Sequence, residues 1–426
     1  MITLVEKDMR LTILLLASFL LSCESKIAEI TNENESYTLN NQNLVYTEER
    51  EPCSNYSEER IPLFGDLHVH TSLSFDAAAN TIGASPTDAH QFAKGKPISF
   101  WPLDENGTPV GKYALDQPLD FLAVTDHGEF LGERRLCRET GSPSYDTHFC
   151  AATRVSERQS MMMFGQVITT ESPKRITEVC GDEGNLCREF ALAPWEIMQK
   201  AAEEAYDRSS NCNFTAFVAY EYTGTPGTSN YHRNVIFRNK NVPTLPVSYI
   251  EAPFDSLLWD KLDEACALEN NCEYLTIPHN TNYSWGLAFS RSDEDGSAYS
   301  STDLERRSQI ERLFEITQQK GASECQISVG ASDEDCDYGI IFPPCKGADD
   351  QRCARDSSFL RNILLEGLAL GTTDTINPYK LGVIGSTDTH FSDPGYVPKD
   401  IPARFKPAEG LGFAVERLLA ADHPVA

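Results

Sequence analysis

The sequence predicts an α/β fold, a β/α barrel of the TIM type carrying disulfide-stapled insertions. Two observations lead there. At least five apolar runs of strand length end in His, Asp or Glu, and helical or long connections separate them. Parallel strands need such crossovers, and in a β/α barrel the functional residues collect at the strands' C-terminal ends. The second observation is the cysteine content: thirteen in all, of which twelve follow Cys23. An even set of this size, without any Cys-x-x-Cys pair, reads as disulfides in an oxidising compartment.

The chain has 426 residues and a formal net charge of −28. That charge repels nucleic acid and anionic membrane surfaces at long range, so no nucleic-acid partner is expected. A small anionic substrate remains compatible if metal ions make the local site cationic.

Residues 1–23 read as a lipoprotein-type signal peptide. Lys7 and Arg10 precede the apolar run Leu11 to Leu21, too short to span a bilayer, and Leu20-Leu21-Ser22-Cys23 closes it. Cys23 is the expected lipidation site, which makes the chain a bacterial envelope lipoprotein, periplasmic or outer-membrane anchored, touching the membrane only through that lipid. Residues 24–60 are polar and read as a flexible tether. A single folded domain is expected over 61–426, with a cysteine-containing insertion at 128–193.

The first strand of that domain leads into Gly65-Asp-Leu-His-Val-His-Thr-Ser-Leu-Ser-Phe-Asp76. Alternate side chains of an extended strand share a face, so His68 and His70 point one way while Leu67 and Val69 pack on the other. Two neutral imidazoles so placed suit Zn²⁺, Mn²⁺ or Fe²⁺, with carboxylates from elsewhere completing the coordination. Ser85 and Pro86 then open a helix; His90 within it is read as structural or exposed. Leu119 to Val124 ends in Thr125-Asp126-His127.

Four cysteines and a helix starting at Pro194 follow; His148 is read as a loop residue. Phe214 to Tyr220 ends in Glu221, and His232-Arg233-Asn234 follows a Gly-rich loop. A helix from Asp255 to about Glu269 precedes the run that ends in His279-Asn280. Ile310 to Ile316 leads to Lys320-Gly-Ala-Ser-Glu. A helix over Asp356–Gly371, capped at its start and stopped by glycine, precedes the run that ends in Asp388-Thr-His390. Gly410-Leu-Gly-Phe-Ala-Val-Glu is read as the last barrel strand. Of nine histidines, six fall at strand ends, so one rim would gather His68, His70, Asp76, His127, Glu221, His232, His279, Asp388 and His390.

His68-Val-His70-Thr71, Thr125-Asp126-His127, Glu221, His279 and Asp388-Thr-His390 together resemble the polymerase-and-histidinol-phosphatase (PHP) superfamily of metal-dependent phosphoesterases. The longer strings Phe64 to Ala77, Lys320-Gly-Ala-Ser-Glu and Gly385-Ser-Thr-Asp-Thr-His resemble its DUF3604 branch, over about residues 61–392. The resemblance implies a distorted β/α barrel, TIM-like and PHP-type, with two or three divalent ions. One ion would take His68, His70, Glu221 and Asp388. A second would share Glu221 and add His232 and His279. A third would use Asp76, His127 and His390. Asp66 and Asp126 share faces with these residues and are expected to orient ligands rather than to ligate.

Such a cluster fits hydrolysis of a small phosphate ester by a metal-activated water, with Arg233 and Lys320 on the remaining phosphate oxygens. Hydrolysis of an amide or lactone is the alternative enzyme reading. A non-catalytic envelope metal-binding protein is the alternative outside enzymes. No Gly-x-Ser-x-Gly elbow or Gly-x-x-x-x-Gly-Lys loop occurs, against serine-hydrolase and NTPase readings.

Overall fold

Period-two rows of side chains on a set of short strands decide where the site lies. The computed structural model describes residues 49–77, 83–103, 109–267, 271–292, 296–337, 339–347, 350–373 and 376–396. The expected signal peptide, Cys23 and the 410–416 run lie outside them. Eight strands carry the architecture: β1 Gly65–Asp66, β2 Phe121–Ala123, β3 Thr215–Phe217, β4 Ala219–Gly224, β5 Tyr231–Phe237, β6 Tyr274–Pro278, β7 Leu313–Gln318 and β8 Gly382–Gly385.

The strands form small sheets in a mixed α/β fold. β1, β2 and β3 are parallel, as are β7 and β8. β4, β5 and β6 are antiparallel, which corrects the expectation of parallel strands throughout. The reason is local: only Thr225–Asn230 separates β4 from β5, and a short turn of this kind joins antiparallel neighbours, whereas a parallel crossover needs a dozen residues or more. Single bridges, His127 to Glu221 and Val69 to Thr389, link the sheets. Among the described residues no ladder joins β6 to β7, and the hydrogen bonding does not close into a barrel.

Packing is more continuous than the hydrogen bonding. One apolar cluster takes Leu67 just after β1, Phe121 and Ala123 of β2, Phe217 of β3, Ala219 of β4, Ile236 of β5, Leu275 and Ile277 of β6, Leu313 of β7 and Ile384 of β8. The alternate rows, Leu122 and Val124, Ala216, Val218 and Tyr220, Val235 and Phe237, face a larger core shared with helices. Trp195, Met198, Leu258 and Trp259 are its helical side. Leu67 and Val69 therefore lie in different clusters, and the regular strand stops at Asp66 before the paired histidines.

Helix α1, Pro86–Ala93, opens with a reciprocal capping box between Ser85 and Asp88. His90 is buried within it, as a structural residue. The 128–193 segment contains α2 (Leu131–Arg138) and three further helices, His148–Thr153, Glu157–Ile168 and Thr177–Cys180, followed by α3 (Asn185–Ala205). Helix α3 starts nine residues before Pro194 instead of at it. A proline inside a helix leaves the carbonyl four residues earlier without its amide donor; here Arg135 Nη1 reaches Phe190 O at 3.5 Å and its guanidinium stacks on the Phe190 ring. Helix α4 spans Asp255–Ala267. Helix α5, Leu360–Thr373, begins only after a 3₁₀ turn at Asp356–Ser358, and Gly371 does not stop it.

Six disulfides pair Cys53–Cys212, Cys137–Cys150, Cys180–Cys187, Cys266–Cys272, Cys325–Cys336 and Cys345–Cys353. All twelve cysteines after Cys23 are thus bonded, which fits an oxidising, exported environment. Cys53 also shows that the expected tether is fastened at its described end. Glu51 N bonds Arg208 O at 3.0 Å and Ser54 N bonds Ser210 O at 2.8 Å. No helix among the described residues is long and apolar enough to cross a membrane.

Candidate metal centre

The inward rows that fill the strand-lined cluster continue into the polar site. Phe217 and Ala219 are followed at period two by Glu221; Ile236 and Asn234 lead back to His232; Leu275 and Ile277 lead on to His279; Leu313 leads to Glu315. His232 arrives from the N-terminal end of an antiparallel strand, in register with Thr223.

Glu221 is the hub. Its Oε2 lies 3.2 Å from His68 Nε2 and 3.1 Å from His70 Nε2. Its Oε1 lies 2.8 Å from His232 Nδ1 and 3.2 Å from His279 Nε2. Asp388 Oδ1 closes the first set, 3.3 Å from His68 Nε2 and 3.2 Å from His70 Nε2. Beside it, Asp76 Oδ2 lies 3.0 Å from His127 Nε2 and 2.9 Å from His390 Nε2. All nine residues expected as ligands come together in three adjoining groups.

The donor set fits divalent ions. Ligand atoms about 2.1 Å from one ion stand roughly 3.0 to 3.4 Å apart in octahedral or tetrahedral geometry, the range of most of these separations. Asp388 Oδ1, His70 Nε2 and His127 Nε2 are buried and make no hydrogen bond. Their close contacts, 3.2 Å between Asp388 Oδ1 and His70 Nε2 and 3.0 Å between His127 Nε2 and Asp76 Oδ2, lack hydrogen-bond geometry, as for donors turned toward a shared cation. A fourth group, Glu133 with Cys180 and Cys187, offers no thiolate, since the two sulfurs are bonded to each other.

Neighbours fix the ring orientations. Glu315 Oε2 lies 3.0 Å from His68 Nδ1, and Ser74 Oγ lies 2.7 Å from His70 Nδ1 while donating to Asp126 Oδ1 at 2.8 Å. Thr223 Oγ1 faces His127 Nδ1, and the Asp388 carbonyl lies 2.9 Å from His390 Nδ1. Each of these four outer nitrogens has a partner, which turns the other nitrogen inward, whereas His279 Nδ1 makes no hydrogen bond. Asp126 acts through Ser74 and Thr71; Asp66 holds Thr387 and the backbone of His68 and Gly395. Neither stands among the ligand groups found in the described residues. Glu315 and Ser74 have no sequence spacing that announces them.

Charge is concentrated here. Burial opposes ionisation of Glu221, yet His127 and His279 hold its carboxyl well below the usual range. Asp388 is likewise held low against burial by His68 and Lys320, and Asp76 by His127 and His390. Burial disfavours a proton on His70, but Asp388 and Glu221 outweigh it and raise the imidazole to about 9. His279, buried and next to His68, falls to about 3. Without metal, protons on part of the histidine set compensate the carboxylates; cations would replace them.

The two expected phosphate-binding residues part company. Lys320 Nζ bonds Asp388 Oδ2, and its side chain is 28% exposed at the mouth of the site beside Asp76 at 22%. Arg233 is corrected: it follows His232, so it faces the opposite side of β5. There it is fully buried, with Nε 2.6 Å from Glu311 and Nη2 2.9 Å from Asp255. A guanidinium so committed cannot reach a ligand at the rim.

Residues 57–408 match a family model described as a protein of unknown function, DUF3604. No match was found among curated proteins or among solved structures.

Proposed function

Since the chain belongs to the DUF3604 family, for which no activity is described, we propose on the site's own chemistry that it is a metal-dependent phosphoesterase. The observation that carries the reading is Glu221, whose two oxygens each face a separate pair of imidazoles, a bridging arrangement suited to two adjacent ions. Asp76, His127 and His390 would hold a third. Divalent ions in such a cluster supply Lewis acidity and an activated water for in-line attack on phosphorus.

The chain's own residues do the rest. Glu315, Ser74 and Thr223 hold the imidazoles in register, and Lys320 is placed to bind a phosphate oxygen at the open side. The packing of eight strand segments on one apolar cluster supports the distorted PHP-type barrel, because the site residues lie at one end of the rows that fill it. The disulfides support export, and the Leu20-Leu21-Ser22-Cys23 signal supports lipid anchoring in a bacterial envelope; the mass of the mature N-terminus tests the anchor.

The test of activity is turnover of a chromogenic phosphate ester by protein loaded with Mn²⁺, Zn²⁺ or Fe²⁺, lost in His68→Ala and Asp388→Ala. Turnover of amides or lactones with none of phosphate esters would replace the reading with a different hydrolase. Metal uptake with no turnover of any of them would leave a binding protein.

A further inference from the structure

The loop Ser72–Asp76 joins two of the ligand groups. Ser74 Oγ meets His70 Nδ1 and Asp126, and accepts from the backbone of His127 at 3.2 Å. Asp76 then faces His127 and His390. The opposite side of this loop is gripped by helix α2. Arg134 Nη1 donates to Ser74 O at 3.0 Å and Nη2 to Ser72 O at 3.3 Å. Phe75 lies between the His127 ring, 4.8 Å away, and the edge of Phe130, 5.4 Å away.

Arg134 is half-buried and pairs with no carboxylate among the described residues. A half-buried guanidinium bonded to carbonyls is a costly way to hold a loop. It does offer two parallel donors in a rigid fork, which fixes both carbonyls at once.

Helix α2 is itself braced from behind. Cys137 ties it to Cys150, Glu133 pairs with Arg175 at 2.7 Å, and Gly132 lets it approach so closely that a Cβ there would stand 1.8 Å from Cys187 O. A line of support thus runs from two disulfides through α2 to the backbone that carries Asp76.

We propose that the cysteine-stapled insertion exists to brace the metal centre, with Arg134 as the positioning residue that holds Asp76 on its ion. This rests on the metal reading above. Loosening the fork frees the Ser72–Asp76 loop, and the group formed by Asp76, His127 and His390 loses affinity. The group built on His68, His70, Glu221 and Asp388 keeps its carboxylates and is affected less.

The experiment is equilibrium dialysis of the full mature chain against Mn²⁺, with metal content measured per chain. Wild type is expected to bind three ions, and Arg134→Gln to retain two while the third weakens about 10- to 100-fold, the usual cost of removing a group that orients a ligand. Asp76→Asn should weaken the same ion, and the double variant should lose little more than either single one. Arg134→Lys, which keeps the charge without the fork, should fall between and serves if Arg134→Gln does not fold. Intact disulfides and an unchanged melting profile establish folding. Three undiminished ions in both Arg134 variants, or equal weakening of every ion, overturns the brace while the metal centre stands. A wild-type chain that takes up no Mn²⁺, Zn²⁺ or Fe²⁺ removes the metal centre itself, and the brace with it.

Discussion

Glu315 Oε2 stands 3.0 Å from Nδ1 of His68, with both side chains fully buried. Burial raises the Glu315 carboxyl while His68 pulls it down, and His68 is lifted in turn by Asp388 and Glu315 against its own burial. Glu315 thereby selects the nitrogen that His68 turns toward Glu221 and Asp388. Glu315→Gln can still hydrogen-bond but supplies no charge. It is expected to weaken the first metal position by about 10- to 100-fold, as losses behind a ligating histidine usually do. Competition with a calibrated chelator measures this directly, and an unchanged affinity would deny Glu315 that role.

Glu221 should matter more than any single histidine. Its two oxygens serve two groups, so Glu221→Ala is expected to lower metal content by two ions per chain, where His232→Ala lowers it by one. Elemental analysis after gel filtration separates these outcomes. Loss of one ion in both variants would mean that Glu221 does not bridge.

Much of this centre is legible in the sequence. His-x-His after one buried run, and Asp-x-His after another, place ligands just past strand ends, and both meet at the site, with Asp388 at φ +52° rather than in extended backbone. Glu315 is not legible: it lies inside β7 with no spacing to another ligand, and only the tertiary approach of β7 to the Gly65–His70 segment gives it a purpose. Ser74 and Thr223 are hidden for the same reason, as hydroxyls common in any turn or strand. The antiparallel hairpin carries a signal in Thr-Pro-Gly-Thr between Glu221 and His232, too short for a crossover. Arg233 carries one too, since adjacent residues of a strand cannot both face the same ligand.

That correction has a consequence for stability. Arg233 and Arg307 are fully buried with Asp255 and Glu311, and Ala288 O accepts from both guanidinium groups. Removing one partner leaves buried charge uncompensated, so Arg233→Met should destabilise the fold by roughly 3–5 kcal/mol. Denaturant unfolding of the metal-loaded protein measures it. Affinity for inorganic phosphate should be unchanged in the folded variant, and a selective loss of phosphate binding without loss of stability would return Arg233 to the site.

Proton competition sets the pH dependence. In the metal-free chain His70 is raised to about 9, burial opposing and Asp388 with Glu221 prevailing. A histidine whose folded pKa exceeds its unfolded value stabilises the fold below the unfolded value and loses that contribution as pH climbs to the folded one. The chelated protein should therefore become less stable between about pH 6.5 and pH 9. A metal ion needs the neutral imidazole, so its affinity should rise over the same window by about tenfold per pH unit for each proton expelled. Melting temperatures with and without metal should diverge as pH increases, and parallel profiles would show that no proton leaves on binding.

Of the two cations expected to meet a substrate, Lys320 is the one at the site. Its ammonium bonds Asp388 Oδ2, the oxygen turned away from the paired imidazoles, so the contact and metal coordination through Oδ1 are compatible. Its partial exposure beside Asp76 leaves it open to a phosphate oxygen arriving at that side. A charge-assisted hydrogen bond of this kind contributes about 1.5–3 kcal/mol, so Lys320→Gln should reduce kcat/KM for a phosphate ester roughly 10- to 150-fold. Metal content should stay near the wild-type value, because no ligand atom is lost. If the variant instead sheds metal, the role of Lys320 is to neutralise Asp388, and phosphate recognition must come from the ions alone.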